Sequence, residues 1–144
     1  MKREKLAESY FLKGYSCSQA VVLAYQDLIK LKKDDLLKLA SPFGGGIGRL
    51  REVCGALSGA LIVLGYLKGN PTTDLKKKEE LYQTIQKIAA EFKKENGAIV
   101  CRELLHLRCA SSPKPSKRNE KYYHARPCLK MVNSATRILE KYLD

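Results

Sequence analysis

The chain has 144 residues, enough for one domain with a sizeable core, and its 44% hydrophobic content argues for a globular fold rather than disorder. Its 27 Lys+Arg against 15 Asp+Glu leave a net charge of +12, which favours acidic partners without naming one. The amino-terminal MKREKLAESYFLKG interleaves charged and apolar residues, which excludes a secretory signal and predicts a cytoplasmic protein with reduced cysteines.

In chain order, Leu6, Ala7, Tyr10 and Phe11 fall on one side of a helix over residues 3–13, and Gly14 ends it. Ser16 is a good N-cap for a second helix in which Ala20, Val21, Ala24, Tyr25 and Leu28 recur at three and four, with Lys30, Lys32 and Lys33 at its carboxyl end. Asp34 caps a short helix to Leu39. Pro42, Gly44, Gly45, Gly46 and Gly48 then break regular structure before a helix over about residues 50–68.

That helix organises the chain. Ala56, Leu57, Ala60, Leu61, Ile62, Val63 and Leu64 cover most of its circumference, so it must be surrounded by protein. It falls short of the ~20 apolar residues a bilayer span needs. Gly55 and Gly59, four apart, allow another backbone or a bulky inorganic group to approach. After the stop at Gly69-Asn70-Pro71, Thr73 or Asp74 caps a long helix to about Glu95, with Leu81, Ile85, Ile88 and Phe92 inward and Asn96-Gly97 closing it. Cys101 opens a short helical piece, CRELLHL. Residues 110–126, with Ser111, Ser112, Pro113, Pro115 and Ser116 among basic residues, read as an exposed loop. Pro127 then serves as the N1 residue of a final amphipathic helix carrying Cys128, Met131, Val132, Ala135, Ile138, Leu139 and Tyr142. No alternating strand and no repeat is present. The expected fold is all-α, a single domain over residues 1–144 forming an irregular bundle around the central helix.

Four of the five cysteines, Cys17, Cys54, Cys101 and Cys128, fall in or near first helical turns. Free N–H groups and the helix dipole there stabilise a thiolate, or an anionic centre built from thiolates. Arg49, Arg51, Arg102 and Arg126 flank three of them in sequence. The bland alternative is inert packing, since free cysteine is among the most buried residue types.

Taken together, YSCSQAVVLAY, GGGIGRLREVCGALSGALIVLG, IVCRELL and a late RPC resemble the C_GCAxxG_C_C family of redox-active proteins, over nearly the whole chain. The resemblance implies a compact helical domain with a redox role. A similar domain is found fused in split-Soret-type cytochromes, where an iron–sulfur centre is associated with it. Carried onto this chain, the functional set is Cys17, Cys54, Cys101 and Cys128. The family label writes glycine before cysteine, whereas this chain reads Cys54-Gly55. Cys109 has no counterpart and is a spare thiol, a resolving partner or a substitute ligand.

Two mechanisms suit four such thiols: ligation of a [2Fe–2S] or [4Fe–4S] cluster, or a dithiol/disulfide cycle without metal. Convergence of four ligands from separate elements favours the cluster, for electron transfer or redox sensing with an unidentified redox partner. Zinc on four thiolates is the third alternative, though its usual closely spaced cysteine pairs are missing.

The glycine run lacks the Lys-Ser or Lys-Thr of a phosphate loop and has no strand before it. His106 and His124 read as ordinary histidines, and Asp34, Asp35, Glu79 and Glu80 as charge at helix starts. From a different class, nucleic-acid binding would use Lys114, Lys117, Arg118, Lys121 and Arg126 with Tyr122 and Tyr123, pairing cations with stacking rings. Against it stands a solvated basic loop whose tyrosines pack down on the bundle. A homodimer through an apolar face is open.

Overall fold

The computed structural model describes residues 2–143, apart from the side chains of His124 and Ala125. Its elements are α1 (Arg3–Leu12), α2 (Cys17–Leu23), α3 (Lys33–Ala40), α4 (Gly55–Lys68), α5 (Leu75–Asn96), α6 (Cys101–Leu104), α7 (Glu120–Ala125) and α8 (Cys128–Glu140). Short 3₁₀ turns at Gln26–Leu28 and Ser41–Phe43 join some of them. Among the described residues the single β-type feature is an isolated antiparallel bridge between Val53 and Val100. The chain is all-α. No described helix is long and apolar enough to cross a membrane.

Helix α4 is central, as its composition requires. It packs chiefly on α2 and α8, with the glycine segment, α5 and the 3₁₀ turn at Ser41–Phe43 around it. Ala56, Leu57, Ala60, Val63 and Leu64 are fully buried. Gly59 carries the close approach to α2: a Cβ there would stand 2.6 Å from the Ser18 carbonyl oxygen. Helices α1, α2 and α8 pack on one another, and α5, whose Ile88 and Phe92 are fully buried, packs on α8.

Several boundaries follow local chemistry that the sequence displays. Ser16 makes a complete capping box with Gln19, and Asp74 accepts from the Lys77 N–H at 2.9 Å. Gly97, in the left-handed region at φ 97°, closes α5.

Others differ from expectation. The second helix ends at Leu23 rather than continuing to Leu28, because Tyr25 drops into the core and its hydroxyl donates to the Thr136 carbonyl at 2.6 Å. The third starts at Lys33 with Lys32 as N-cap, leaving Asp34 and Asp35 in its first turn. Pro127 is an N-cap instead of N1. The central helix starts at Gly55, not near Leu50; residues 45–51 are taken by a left-handed coil and Val53 by the bridge to Val100. Residues 120–125 form α7 where an exposed loop was expected, because Asn119 caps them and Tyr122 packs on Phe11.

Candidate thiol site

The site begins with backbone. Gly45, Gly46, Ile47, Gly48, Arg49 and Arg51 all have φ between 56° and 70°, a coil that winds back on itself. It is tied by Gly48 N–H to Pro42 O (2.8 Å), Arg51 N–H to Gly45 O (3.1 Å) and Glu52 N–H to Gly46 O (2.9 Å). Three of those residues are not glycine, and holding each in the left-handed region costs on the order of 1 kcal/mol or more, strain of the sort that concentrates at functional sites.

From this coil the chain enters the Val53–Val100 bridge. There Cys54 N–H donates to Ile99 O (2.7 Å) and Cys101 N–H to Glu52 O (2.5 Å). The bridge thus fixes the start of α4 against the start of α6 and brings Cys54 near Cys101. Cys17 begins α2, Cys101 begins α6 and Cys128 begins α8, while Cys54 is the N-cap of α4.

All four line one cavity of about 300 Å³. Among the described residues no group of three or more Cys, His, Asp or Glu is placed to hold one metal ion. Cys54 and Cys101 are buried, at 6% and 8% exposure, and Cys17 and Cys128 half-buried. All are free thiols. Cys109 is exposed and outside the cavity wall, as is His106. The side chain of His124 lies outside the described residues.

Backbone N–H groups point at two of the sulfurs: those of Gly45 and Ser18 at Cys17, and those of Ala56 and Leu57 at Cys54. Those of Ser18, Ala56 and Leu57 are the first-turn effect expected from sequence, that of Gly45 comes from the left-handed coil, and all lower the thiol pKa values. Burial outweighs it. Desolvation pushes Cys17 up, Cys54 well above the ordinary thiol range and Cys128 up to about 12. The expected low-pKa nucleophile is therefore not found at these three positions.

The rest of the wall is largely apolar, with Leu104, Leu105, Met131, Phe11 and Tyr122, and its charge is all cationic. Arg49, Arg51, Arg118 and Arg126 reach it, and among the described residues no Asp or Glu does. Arg102, grouped with them in sequence, instead pairs with Glu52 at 3.3 Å. Arg51 is only 2% exposed; its Nε donates to Ser111 Oγ at 2.9 Å and its Nη1 to Cys101 Sγ at 3.6 Å.

Residues 111–127 cover the cavity through Pro113, Pro115, Ser116 and Tyr122. Arg118 is their anchor. It donates to Phe11 O and Tyr15 O at 2.9 Å each and stands over the rings of Phe11 and Tyr122 at 4.4 and 4.9 Å. The basic stretch offered as a nucleic-acid surface thus has Tyr123 packed edge-on against Phe11 and Tyr122, and Tyr122 tilted against Phe11, with their faces engaged by arginine. Sequence reading placed Arg118 only in that basic stretch; nothing in the spacing shows that it reaches back to α1.

Residues 15–142 match the family model described as "Putative redox-active protein (C_GCAxxG_C_C)". The chain belongs to this family. No curated protein and no solved structure matches it. In the C_GCAxxG_C_C pattern the match starts after α1, yet α1 supplies Phe11 to the cavity wall. Position 55, the glycine that follows Cys54, faces Cys17 and the Phe43 carbonyl with no space for a side chain.

Proposed function

We propose that the chain is an iron–sulfur redox protein in which Cys17, Cys54, Cys101 and Cys128 hold a [2Fe–2S] or [4Fe–4S] cluster for electron transfer or redox sensing. The observation that carries this reading is the meeting of these four cysteines, from four separate elements, around one cavity whose wall holds arginines and, among the described residues, no carboxylate. The donor set fits the group. Four thiolates are the common ligand set, and N–H donors on the sulfurs at Cys17 and Cys54 are what tune such a centre. When bound, the cluster supplies one-electron exchange. The protein supplies the sulfurs, holds them with the coil and the Val53–Val100 bridge, and excludes water with residues 111–127.

The raised thiol pKa values fit this role. A buried neutral thiol is a poor nucleophile, but metal binding displaces its proton, so sulfurs desolvated in the empty protein become ligands on loading. A zinc site would ask the four sulfurs to close on a single position, and its usual closely spaced cysteine pairs are missing from the chain. The metal-free dithiol reading draws support from one contact, Arg51 Nη1 donating to Cys101 Sγ at 3.6 Å.

The deciding experiment is iron and acid-labile sulfide analysis, with visible absorption, of protein purified without oxygen. Iron and sulfide in wild type, lost on Cys54→Ser, is the expected result. Iron-free wild type with a thiol titre that rises on mild reduction would overturn the cluster in favour of the disulfide cycle.

A further inference from the structure

The cavity contains a charge that the thiols do not explain. Arg51 is almost fully buried, and its Nη2 has no hydrogen-bond partner among the described residues. Its other nitrogens are fixed, Nε by Ser111 and Nη1 by Cys101 Sγ, so the fork cannot turn away to find one. None of Arg49, Arg51, Arg118 and Arg126 is in an ion pair among the described residues, and no carboxylate lines the wall they share. A guanidinium buried without a counter-charge is strongly unfavourable, and an orphaned N–H in such a place marks a missing acceptor. The chain also holds Arg51 in the left-handed region, at φ 63°, to put it there.

We propose that Arg51 makes this cavity an anion site, its Nη2 donating to a negatively charged acceptor that sits beside Cys101. The proposal rests in part on the cluster reading above, and the acceptor has two sources of the same chemistry. One is a sulfur of the thiolate-held cluster, itself anionic. The other is a small free oxyanion bound next to the cysteines, which would be the redox protein's ligand or substrate. In the first case Arg51 is a positioning residue that favours the reduced, more negative state of the centre. In the second it is a binding residue.

The test uses the full chain purified without oxygen, as wild type, R51K and R51Q. Thermal melts followed by circular dichroism establish that each is folded, and R51K, which keeps the charge, guards against a trivial loss of structure. Two quantities are read: the reduction potential of the iron-loaded protein, and binding of inorganic phosphate and of sulfite by calorimetry. A cluster acceptor predicts a more negative potential in R51Q, with R51K between it and wild type, at equal iron content and without oxyanion binding. A free oxyanion predicts binding to wild type that R51Q weakens at least tenfold and R51K less. Unchanged potentials with no oxyanion binding overturn the proposal while leaving the cluster in place. Iron-free wild type would overturn the cluster reading alone; oxyanion binding then decides Arg51, its presence supporting the anion site and its absence ending it.

Discussion

Gly55 faces Cys17 with no room between them for one carbon: a Cβ at position 55 would stand 2.5 Å from Cys17 Sγ and equally close to the carbonyl oxygen of Phe43. The sulfur can swing, but the carbonyl belongs to backbone and can only move with the coil behind it. Gly55→Ala is therefore expected to destabilise the fold by about 1–3 kcal/mol and to reduce iron loading. Gly59→Ala meets the Ser18 carbonyl at 2.6 Å, away from the cavity wall, and should cost a similar amount of stability. Denaturant melts beside iron content separate the two. Equal loss of loading in the two variants at matched stability would show that the effect is not local to the contact between Gly55 and Cys17.

The cysteines divide four against one. Serine at position 17, 54, 101 or 128 should each lower iron and sulfide content, because each of these sulfurs borders the cavity. Cys109→Ser should leave both unchanged, since that thiol is exposed and outside the wall. Retained loading in all four cavity variants would mean that the metal is held elsewhere.

Alkaline pH should destabilise the metal-free protein. An unfolded thiol titrates near pH ~8.5, whereas burial raises Cys17, Cys54 and Cys128 in the native state, the last to about 12. Above the unfolded value the native state binds more protons than the unfolded one, so unfolding free energy falls as pH rises. The contribution is whole below pH ~8.5 and is lost progressively towards pH 12. Cys128→Ser should flatten this slope. Loaded protein should lack it, its sulfurs having already released their protons to the metal. Urea midpoints at pH 7, 9 and 10 check both.

Arg118 joins the cover to the bundle. Arg118→Ala removes two hydrogen bonds to α1-side carbonyls and the packing over Phe11 and Tyr122, a loss of about 2–4 kcal/mol in the local stability of residues 111–127. Faster amide exchange there, with faster alkylation of the cavity cysteines in iron-free protein, is expected. Unchanged exchange would show that the cover is held by other contacts, such as Arg49 Nε on Ser112 O at 2.7 Å.

Much was legible in the order of residues because it is governed by interactions a few positions apart. The Ser16 capping box, the Asp74 cap, the left-handed Gly97 and the all-round apolar α4 each follow from near neighbours and helical periodicity. Four cysteines at helix starts were likewise visible, and so was their family. That they share one cavity was not: spacing carries no distance between Cys17 and Cys128. The start of α4, the Val53–Val100 bridge and the left-handed backbone of Arg51 depend on partners far along the chain. So do the seating of Tyr122 and the reach of Arg118 to Phe11. Sequence alone thus determined the all-α class and most of the helices, the thiols and an excess of positive charge. Tertiary structure decided that Cys17, Cys54 and Cys128 are desolvated rather than activated, because burial is a property of everything packed around a sulfur, and no stretch of neighbours encodes it.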